Sequence, residues 1–453
     1  MKAHTMQKRV ICLVTLITPL FSQAAGFALG EQSVSGLGNA LAGMGARSDD
    51  ASTQFYNPAS MSFMSPGNQI TLGGHLIAPN IKLKNGNVRN ISFGGIPVTG
   101  NDGGNAGELT LLPIIYLKTD LNERLSLGIG INAPFGLTSK YNNDWVGRYN
   151  ATNSELQTIN INPAISWKVN EQLSLGAGIS VQYAKAKLSN AIDSSAICRA
   201  NASLATCTAL GLAVPGNANV DSSVKLEGDD IGFGFNLGAI FKPNQQTTLG
   251  FAFRSSVEQN LKGQAKFNRS PGLNTLLKGS QKLTNGDISA ELDLPESVAF
   301  SGAYQINSDL ELLADATWTH WSRFKELRIH FNNPAQPDGL TTENWEDSWR
   351  YSLGANYKLN STVTLRTGIA YDETPVSNQS FRTPRIPDQN RTWLSFGTSW
   401  KVTPVNTLDI AYAHLFIKDA KIDNTSEGGI KYNIRGQYES SVDILGLQLT
   451  HHF

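Results

Sequence analysis

The chain has 453 residues, as many basic as acidic residues (37 of each), a low charged fraction of 16% and abundant glycine. Such a balanced charge excludes the strongly basic surface by which proteins bind nucleic-acid phosphates. A soluble chain of this length would normally divide into two or more domains, each with its own core.

The first 24 residues predict a cleaved signal peptide. Three basic residues precede an apolar run at residues 10–21, and Ser22-Gln23-Ala24 forms a small-x-small cleavage site. A membrane anchor is the alternative, but a spanning helix needs about 20 apolar residues and the run is shorter. A lipoprotein is excluded because Ile11, not a small residue, precedes Cys12. Cleavage removes three of the 37 basic residues, which leaves 34 against 37 acidic residues in an exported chain.

Residues 25–66 show no strand-like alternation and are rich in small residues. Asn57 followed by Pro58 predicts a helix start, since asparagine is a good N-cap and proline suits the first helical position. About 40 residues of this kind cannot form a core alone. We therefore expect a small helical hatch that plugs a larger structure formed by residues 67–453.

Strict alternation of apolar and polar residues dominates the remainder. In Leu125–Asn132 the leucines and isoleucines share one face, and Ser126, two glycines and Asn132 share the other. Short turns alternate with long polar segments, an asymmetry typical of outer-membrane barrels. The long segments are residues 135–154, 189–223, 267–286, 332–343, 374–390 and 420–431.

The alternating segments predict an all-β fold, a fourteen-stranded antiparallel transmembrane β-barrel. An even number of strands allows closure, which removes the edges that a bilayer would not tolerate. The predicted strands are residues 68–79, 107–119, 123–134, 155–169, 171–188, 223–242, 247–267, 287–305, 309–331, 345–359, 362–373, 389–402, 407–419 and 435–453.

Aromatic residues near the strand ends predict girdles at the two membrane interfaces. The candidates are Trp145, Tyr149, Trp167, Tyr183, Trp318, Trp321, Trp345, Trp349, Trp393 and Trp400. The chain ends in Phe453, preceded at period two by Leu445, Leu447 and Leu449. This ending resembles the signal that the outer-membrane assembly machinery recognises, although His451 stands where an apolar residue is usual.

Cys198 and Cys207 are the two cysteines left after cleavage, and in an exported chain they predict one disulfide. The surrounding residues offer no further metal ligands, so we expect neither a metal site nor a cofactor. A barrel enzyme would need a positioned nucleophile and histidine, and no histidine lies in a recognisable motif. We therefore expect no catalytic residues.

Several short motifs together resemble the FadL family of outer-membrane transport proteins. The motifs lie at 26–27, 32–40, 42–43, 50–53, 57–61, 132–136, 294–296 and 385–391. The resemblance covers the whole chain and implies a fourteen-stranded barrel with an N-terminal hatch. It implies passive uptake of long-chain fatty acids or, as the alternative, of aromatic hydrocarbons or other hydrophobic molecules. Outer-membrane lipid, lipopolysaccharide and the assembly machinery are the other expected partners of a monomeric protein.

The resemblance also implies a route for the substrate. Capture among extracellular loops leads to a pocket near the hatch, and release follows sideways through a kink in the third strand. Asn132, Pro134, Phe135 and Gly136 are the candidate lateral gate, because proline cannot donate to a ladder and glycine often marks a bend. The residues alone equally allow the start of a loop there.

Phe27, Asn57, Pro58 and Ala59 match the gating segment of the family's hatch, although Phe27 alone reads equally as simple packing.

A fatty-acid carboxylate requires a cation, preferably arginine. Lys185 and Lys187 resemble basic residues near the family's pocket, but their parity places them on the lipid-facing side, where they read as interfacial lysines. Arg254, Arg350 and Arg366 face the lumen by parity, where they either contact the substrate or only line the barrel and pair with Asp315 or Glu311. A water-filled general porin or an adhesin is the remaining alternative, and the expected hatch argues against an open pore.

Overall fold

The computed structural model describes residues 25–453, so the predicted signal peptide lies outside the described residues. Antiparallel neighbours follow one another along the chain, and β1 (Gln69–Asn90) pairs with β21 (Tyr432–His452) to close the sheet. The backbone amide of Asn68 donates to the carbonyl of Phe453 at 3.1 Å, and the reverse bond has the same length. The predicted fourteen-stranded barrel is confirmed.

Twenty-one strand segments make up the fourteen barrel strands, because several barrel strands are interrupted. Besides β1 and β21, the segments are β2 (Ile96–Pro97), β3 (Thr110–Asn122), β4 (Leu125–Asn132), β5 (Gly136–Lys140), β6 (Asn153–Lys168), β7 (Leu173–Ile192), β8 (Ser222–Phe241), β9 (Thr247–Arg254), β10 (Val257–Asn268), β11 (Gly286–Leu294), β12 (Ser297–Gln305), β13 (Leu310–Thr319), β14 (Glu326–Phe331), β15 (Gly339–Thr342), β16 (Ser348–Lys358), β17 (Val363–Asp372), β18 (Arg391–Thr403), β19 (Asn406–Ile417) and β20 (Ala420–Thr425).

The helices are short and lie in the hatch and the loops. They are α1 (Val34–Leu37), α2 (Thr53–Tyr56), α3 (Ser194–Asn201), α4 (Leu204–Ala209) and α5 (Pro271–Leu276), with 3-10 turns at Pro58–Phe63, Ile91–Phe93, Ala218–Val220 and Trp321–Arg323. None of the described helices is long and apolar enough to cross a membrane.

Several predicted boundaries were wrong in the same direction. The first strand continues to Asn90 instead of ending at residue 79, and the predicted loops 135–154, 332–343 and 420–431 contain the strands β5, β15 and β20. These extensions lie at the end of the barrel that carries the long loops. The sheet therefore continues beyond the membrane on that side.

The polarity of the wall reverses along its length. In the lower half of β8, Phe235 and Leu237 are exposed on the outer face and Asn236 is buried in the lumen. In β10, Glu258 and Lys262 face outward instead. The interior at that level is apolar, as Leu261 and its neighbours on β11 show. The lower wall therefore suits lipid outside, and the upper wall suits water outside and packed side chains inside.

This reversal corrects the predicted aromatic girdle. Trp167 and Trp400 are about half exposed on the outer face, at 47% and 49%, as a girdle requires. Five other candidates are buried inside the structure. They are Trp145, Tyr149, Trp321, Trp345 and Trp393. A tryptophan near a strand end packs inward where the interior is the apolar side.

The hatch fills the lumen and touches the wall at glycines. A side-chain carbon at Gly238 would lie 1.9 Å from Asn57 Oδ1, and one at Gly176 would lie 2.3 Å from the backbone nitrogen of Ala59. Only glycine permits this close approach. The lumen-facing glycines of the alternating strands thus provide room for the hatch backbone.

Candidate functional site

The third barrel strand is broken where the sequence places its kink. β4 ends at Asn132, and Gly136 is the first residue of β5, so the chain re-enters the sheet after residues 133–135. β4 pairs with β3 up to Ile131, opposite Ile115. β5 pairs with β6, and within residues 25–453 it forms no ladder with β3. The wall therefore has an opening between β3 and β5.

The start of the hatch covers this opening from inside. The backbone nitrogen of Leu29 donates to the carbonyl of Pro134 at 2.8 Å, and that of Gly136 donates to the carbonyl of Phe27 at 2.9 Å. Ala28 and Phe135 form the β-bridge between these two bonds. The hatch thus supplies a short strand-like partner on one side of the break. On the other side, the wall supplies the hydroxyl of Thr158 on β6, which accepts the amide of Phe135 and donates to its carbonyl.

Phe27 occupies an aromatic cage beside the opening. Its ring centroid lies 4.6 Å from that of Trp321, 5.6 Å from those of Phe324 and Trp345, and 6.2 Å from that of Phe135. The side chain is only 2% exposed. Edge-on and tilted ring pairs at such distances are attractive. The segment that covers the opening therefore also fills the cage.

The two tryptophans of the cage lie where barrel strands are interrupted, Trp321 between β13 and β14 and Trp345 between β15 and β16. Trp345 follows β15, and its indole nitrogen donates to Glu343 Oε2 at 3.1 Å. Burial of Glu343 raises the pKa of its carboxyl to about 8. The carboxyl is therefore largely protonated at neutral pH, which suits an apolar surrounding.

A cavity of about 150 Å³ adjoins the cage, between the hatch and the wall. The residues that line it come from the hatch, from the break and from seven strands, β8, β9, β12, β13, β16, β17 and β18. They include Ala28, Tyr56, Phe135, Arg254, Trp321 and Arg350. Ligand pockets usually measure about 300–1,000 Å³, so this cavity is small while Phe27 fills the cage.

Two predicted cations lie in this cavity, and their surroundings differ. Arg350 lies 3.6 Å from the carboxylate of Asp315 and donates to Thr317 Oγ1 at 3.3 Å. Arg254 stacks over the ring of Phe55 at 4.3 Å and donates to its backbone carbonyl at 2.6 Å. No carboxylate of residues 25–453 forms an ion pair with Arg254. Its positive charge is therefore available to an anionic ligand.

The two predicted lysines lie elsewhere. Lys185 pairs with Glu227 at 2.5 Å and Lys187 with Glu155 at 3.3 Å, all on the outer face above the lipid-facing band. Neither lysine lines the cavity. The alternation of the sequence predicts both lysines on the outer face of the strand, and the structure has them there.

The four predicted hatch residues separate into two groups. Phe27 lies in the cage, whereas Asn57, Pro58 and Ala59 press against the wall. The side-chain nitrogen of Asn57 donates to the backbone carbonyls of Ala239 and Phe251 at 3.1 and 3.2 Å. Its side-chain oxygen accepts the amide of Ala59 at 3.0 Å, so the predicted N-cap is present. This segment fixes the hatch to β8 and β9.

Sequence reasoning missed the residue that holds the hatch's other end. Asp388 Oδ2 accepts the backbone amide of Gly26 at 3.0 Å and the hydroxyl of Thr374 at 2.7 Å. Arg391 pairs with the same carboxylate. The motif at 385–391 was the available signal, but its contact with the start of the chain is too distant in sequence to infer.

Loop structure covers the extracellular end. Cys198 in α3 and Cys207 in α4 are joined by a disulfide, and both are fully buried against α5. Another cavity, of about 440 Å³, lies among these loops. Its apolar lining includes Ile197, Leu277, Leu283, Pro337 and Ile430. Within the described chain no group of three or more His, Cys, Asp or Glu side chains is placed to hold a metal ion.

Comparison with known proteins agrees with this architecture. Residues 15–453 match the family model described as outer membrane protein transport protein (OMPP1/FadL/TodX). The chain is 30% identical to the putative outer membrane protein NMB0088 of Neisseria meningitidis serogroup B, over the full length of both chains. It is 28% identical to the long-chain fatty acid transport protein of Escherichia coli K12, covering 95% of this chain and 96% of the relative.

A solved structure shows the same similarity in three dimensions. The crystal structure of a Pseudomonas aeruginosa FadL homologue superimposes with a TM-score of 0.83 at 28% identity, covering 95% of this chain and all of that one. The chain belongs to the OMPP1/FadL/TodX family of outer-membrane proteins, which transport hydrophobic compounds and are not enzymes.

Proposed function

We propose that this protein is a passive channel for long-chain fatty acids that releases its substrate sideways into the outer membrane. One observation carries the proposal. Residues 27–29 both fill the aromatic cage and hydrogen-bond to the break in the third barrel strand. A ligand that displaces Phe27 therefore also removes the cover from the opening between β3 and β5.

The physical chemistry of an acyl chain favours this route. Each buried CH₂ group is worth about 0.8 kcal/mol, so an exit into water would oppose transport and an exit into lipid would assist it. The apolar cavity among the extracellular loops, near the disulfide between Cys198 and Cys207, offers a first site of capture. Asn57, Pro58 and Ala59 would stay against the wall while Phe27 moves.

Arg254 is the residue that we propose to bind the carboxylate. It lines the cavity and has no ion-pair partner among the described residues, whereas Arg350 is already close to Asp315. A hydrogen bond to a charged group contributes about 1.5–3 kcal/mol. Arg254→Met should therefore reduce oleate uptake by about tenfold or more.

Aromatic hydrocarbons are the second candidate substrates, because the cage around Phe27 consists of aromatic rings that could stack on such a ligand. The test is uptake of labelled oleate and labelled toluene by a strain that lacks the gene, with and without the cloned gene. Oleate uptake that depends on the gene and on Arg254 supports the proposal. If the gene supports uptake of toluene but not of oleate, and Arg254→Met leaves toluene uptake unchanged, the result supports the alternative. If uptake of neither substrate depends on the gene, both proposals are contradicted.

A further inference from the structure

A row of buried carboxamides connects the free cation of the cavity to the lateral opening. Asn236 on β8 lies directly opposite Arg254 on β9. Asn162 on β6 donates from its side chain to Asn236 Oδ1 at 2.9 Å. Asn160, two residues earlier on β6, shares the same lumen-facing side.

The row ends at the break itself. Asn160 donates from Nδ2 to Asn132 Oδ1 at 3.1 Å, and Asn132 is the last residue before the interruption of the third barrel strand. The order along the wall is therefore Arg254, Asn236, Asn162, Asn160 and Asn132, and hydrogen bonds join Asn236 to Asn162 and Asn160 to Asn132.

The wall is shaped to let these amides meet. A side-chain carbon at Gly178, between β6 and β8, would lie 2.5 Å from Asn236 Oδ1 and 3.0 Å from Asn162 Nδ2. Any other residue at Gly178 would push the two side chains apart. The glycine thus keeps the row continuous across β7.

The row has unused hydrogen-bonding capacity. All four asparagines are at most 3% exposed, yet Asn236 Nδ2 and Asn160 Oδ1 have no hydrogen-bond partner among residues 25–453. Buried polar atoms are nearly always bonded, either to protein or to water. The unpartnered Asn236 Nδ2 is a donor on the residue opposite Arg254, and a carboxylate accepts hydrogen bonds at both oxygens.

We propose that Arg254, Asn236, Asn162, Asn160 and Asn132 form a headgroup path, along which the carboxylate of an amphipathic substrate moves from the cavity to the lateral opening. This inference rests on the proposed function. The acyl tail can leave through the apolar opening without assistance, but its ionised head must cross a buried part of the lumen. Successive amide donors keep that head hydrogen-bonded at each step.

The test separates binding of the fatty acid from its release. Asn160→Leu combined with Asn162→Leu alters the middle of the path, and neither residue lines the cavity. We expect the affinity of the purified protein for oleate to stay within about twofold, while the initial rate of oleate uptake by cells falls at least about fivefold. Asn160→Asp, which keeps the size of the side chain, should also slow uptake at neutral pH without weakening binding.

Ser352→Ala combined with Ser395→Ala is the matched control. Both serines are buried on the opposite wall with an unpartnered hydroxyl, and we expect no change in either measurement. Unchanged oleate uptake in both asparagine variants would mean that the row holds only water. Loss of oleate binding and of uptake to the same extent would mean that the row only supports the fold. Either result overturns the headgroup path. A wild-type protein that takes up no oleate would instead contradict the proposed function.

Discussion

Two of the interruptions in the barrel wall are bridged in different ways. In the third barrel strand, residues 133–135 interrupt the ladder and the hatch supplies backbone partners at Phe27 and Leu29. A second interruption lies between β8 and β10, where residues 230–235 form no ladder with β10 within the described chain.

That second interruption is bridged at its two ends by the barrel alone, and a cleft of about 470 Å³ lies between the bridged ends. The backbone amide of Phe235 donates to Ser255 Oγ at 2.8 Å, the amide of Ser255 donates back to the carbonyl of Phe235 at 2.9 Å, and the amide of Asn260 donates to Asp230 Oδ2 at 2.7 Å. An interruption bridged by the wall keeps those bonds when the hatch moves. The interruption covered by the hatch loses its cover when the hatch moves, so we propose that substrate leaves through the first interruption.

Of the changes that we predict, a disulfide across each of the two interruptions should produce the largest difference in oleate uptake. Ala28→Cys with Phe135→Cys joins two bridge partners, whose spacing in antiparallel pairs suits a disulfide. Under oxidising conditions we expect oleate uptake to fall at least about tenfold, and reduction should restore it. Uptake is measured before and after addition of a reductant.

The matched control joins the wall beside the second interruption. Leu237→Cys with Phe253→Cys links register partners of β8 and β9 and should leave uptake within about twofold of the wild type. Full transport by the oxidised Ala28–Phe135 variant would show that residues 27–29 do not gate the opening. Loss of oleate uptake in the oxidised Leu237→Cys, Phe253→Cys variant would instead place the substrate exit at the second interruption.

Glu31 should make the closed hatch sensitive to pH. It is fully buried beside the covering segment, and burial raises the pKa of its carboxyl from 4.5 to about 7, although Arg391 and Arg350 oppose this rise and Asp372 adds to it. A raised pKa means that the closed state is most favoured below pH 4.5 and loses stability as the pH rises from 4.5 to about 7.

We therefore expect more frequent opening at about pH 8 than at about pH 5. It is measured as the reaction rate of a cysteine placed at Ala28 with a soluble thiol reagent, divided at each pH by the rate of a cysteine at an exposed loop position, so that ionisation of the thiol cancels. Glu31→Gln carries no titrating group there and should flatten this dependence. A dependence that persists unchanged in the variant would assign the titration to another group.

The smallest effect is expected from the outer-face lysines. Exposed ion pairs contribute about 0–1 kcal/mol, and the pairs of Lys185 and Lys187 lie outside the cavity. Lys185→Met with Lys187→Met should keep oleate uptake within about twofold of wild type. A loss as large as that expected for Arg254→Met would place the carboxylate site on the outer face.

The lower barrel could be predicted closely because lipid outside and a polar lumen impose alternation on every strand. The break at Pro134 could be located for a similarly local reason, since proline cannot donate a hydrogen bond to a ladder. The capping role of Asn57 was also local, and the structure contains that cap.

The interior of the upper barrel could not be predicted in the same way. The wall reverses its polarity there, so Trp321 and Trp345 resembled girdle residues although they pack inward around Phe27. The contact of Gly26 with Asp388 spans most of the chain. The headgroup path depends on the register of four barrel strands, which alternation alone does not fix.

Hydrogen exchange at the hatch and the break tests the central claim most directly. The amide of Leu29 bonds to Pro134 and the amide of Gly136 bonds to Phe27, so the two amides report on the same closure from opposite sides. If one segment closes both the cage and the wall, saturating oleate should accelerate exchange at both amides together, while the amides of Phe235 and Ser255 stay unchanged. Protection of both amides by oleate, or faster exchange at only one of them, would contradict the account.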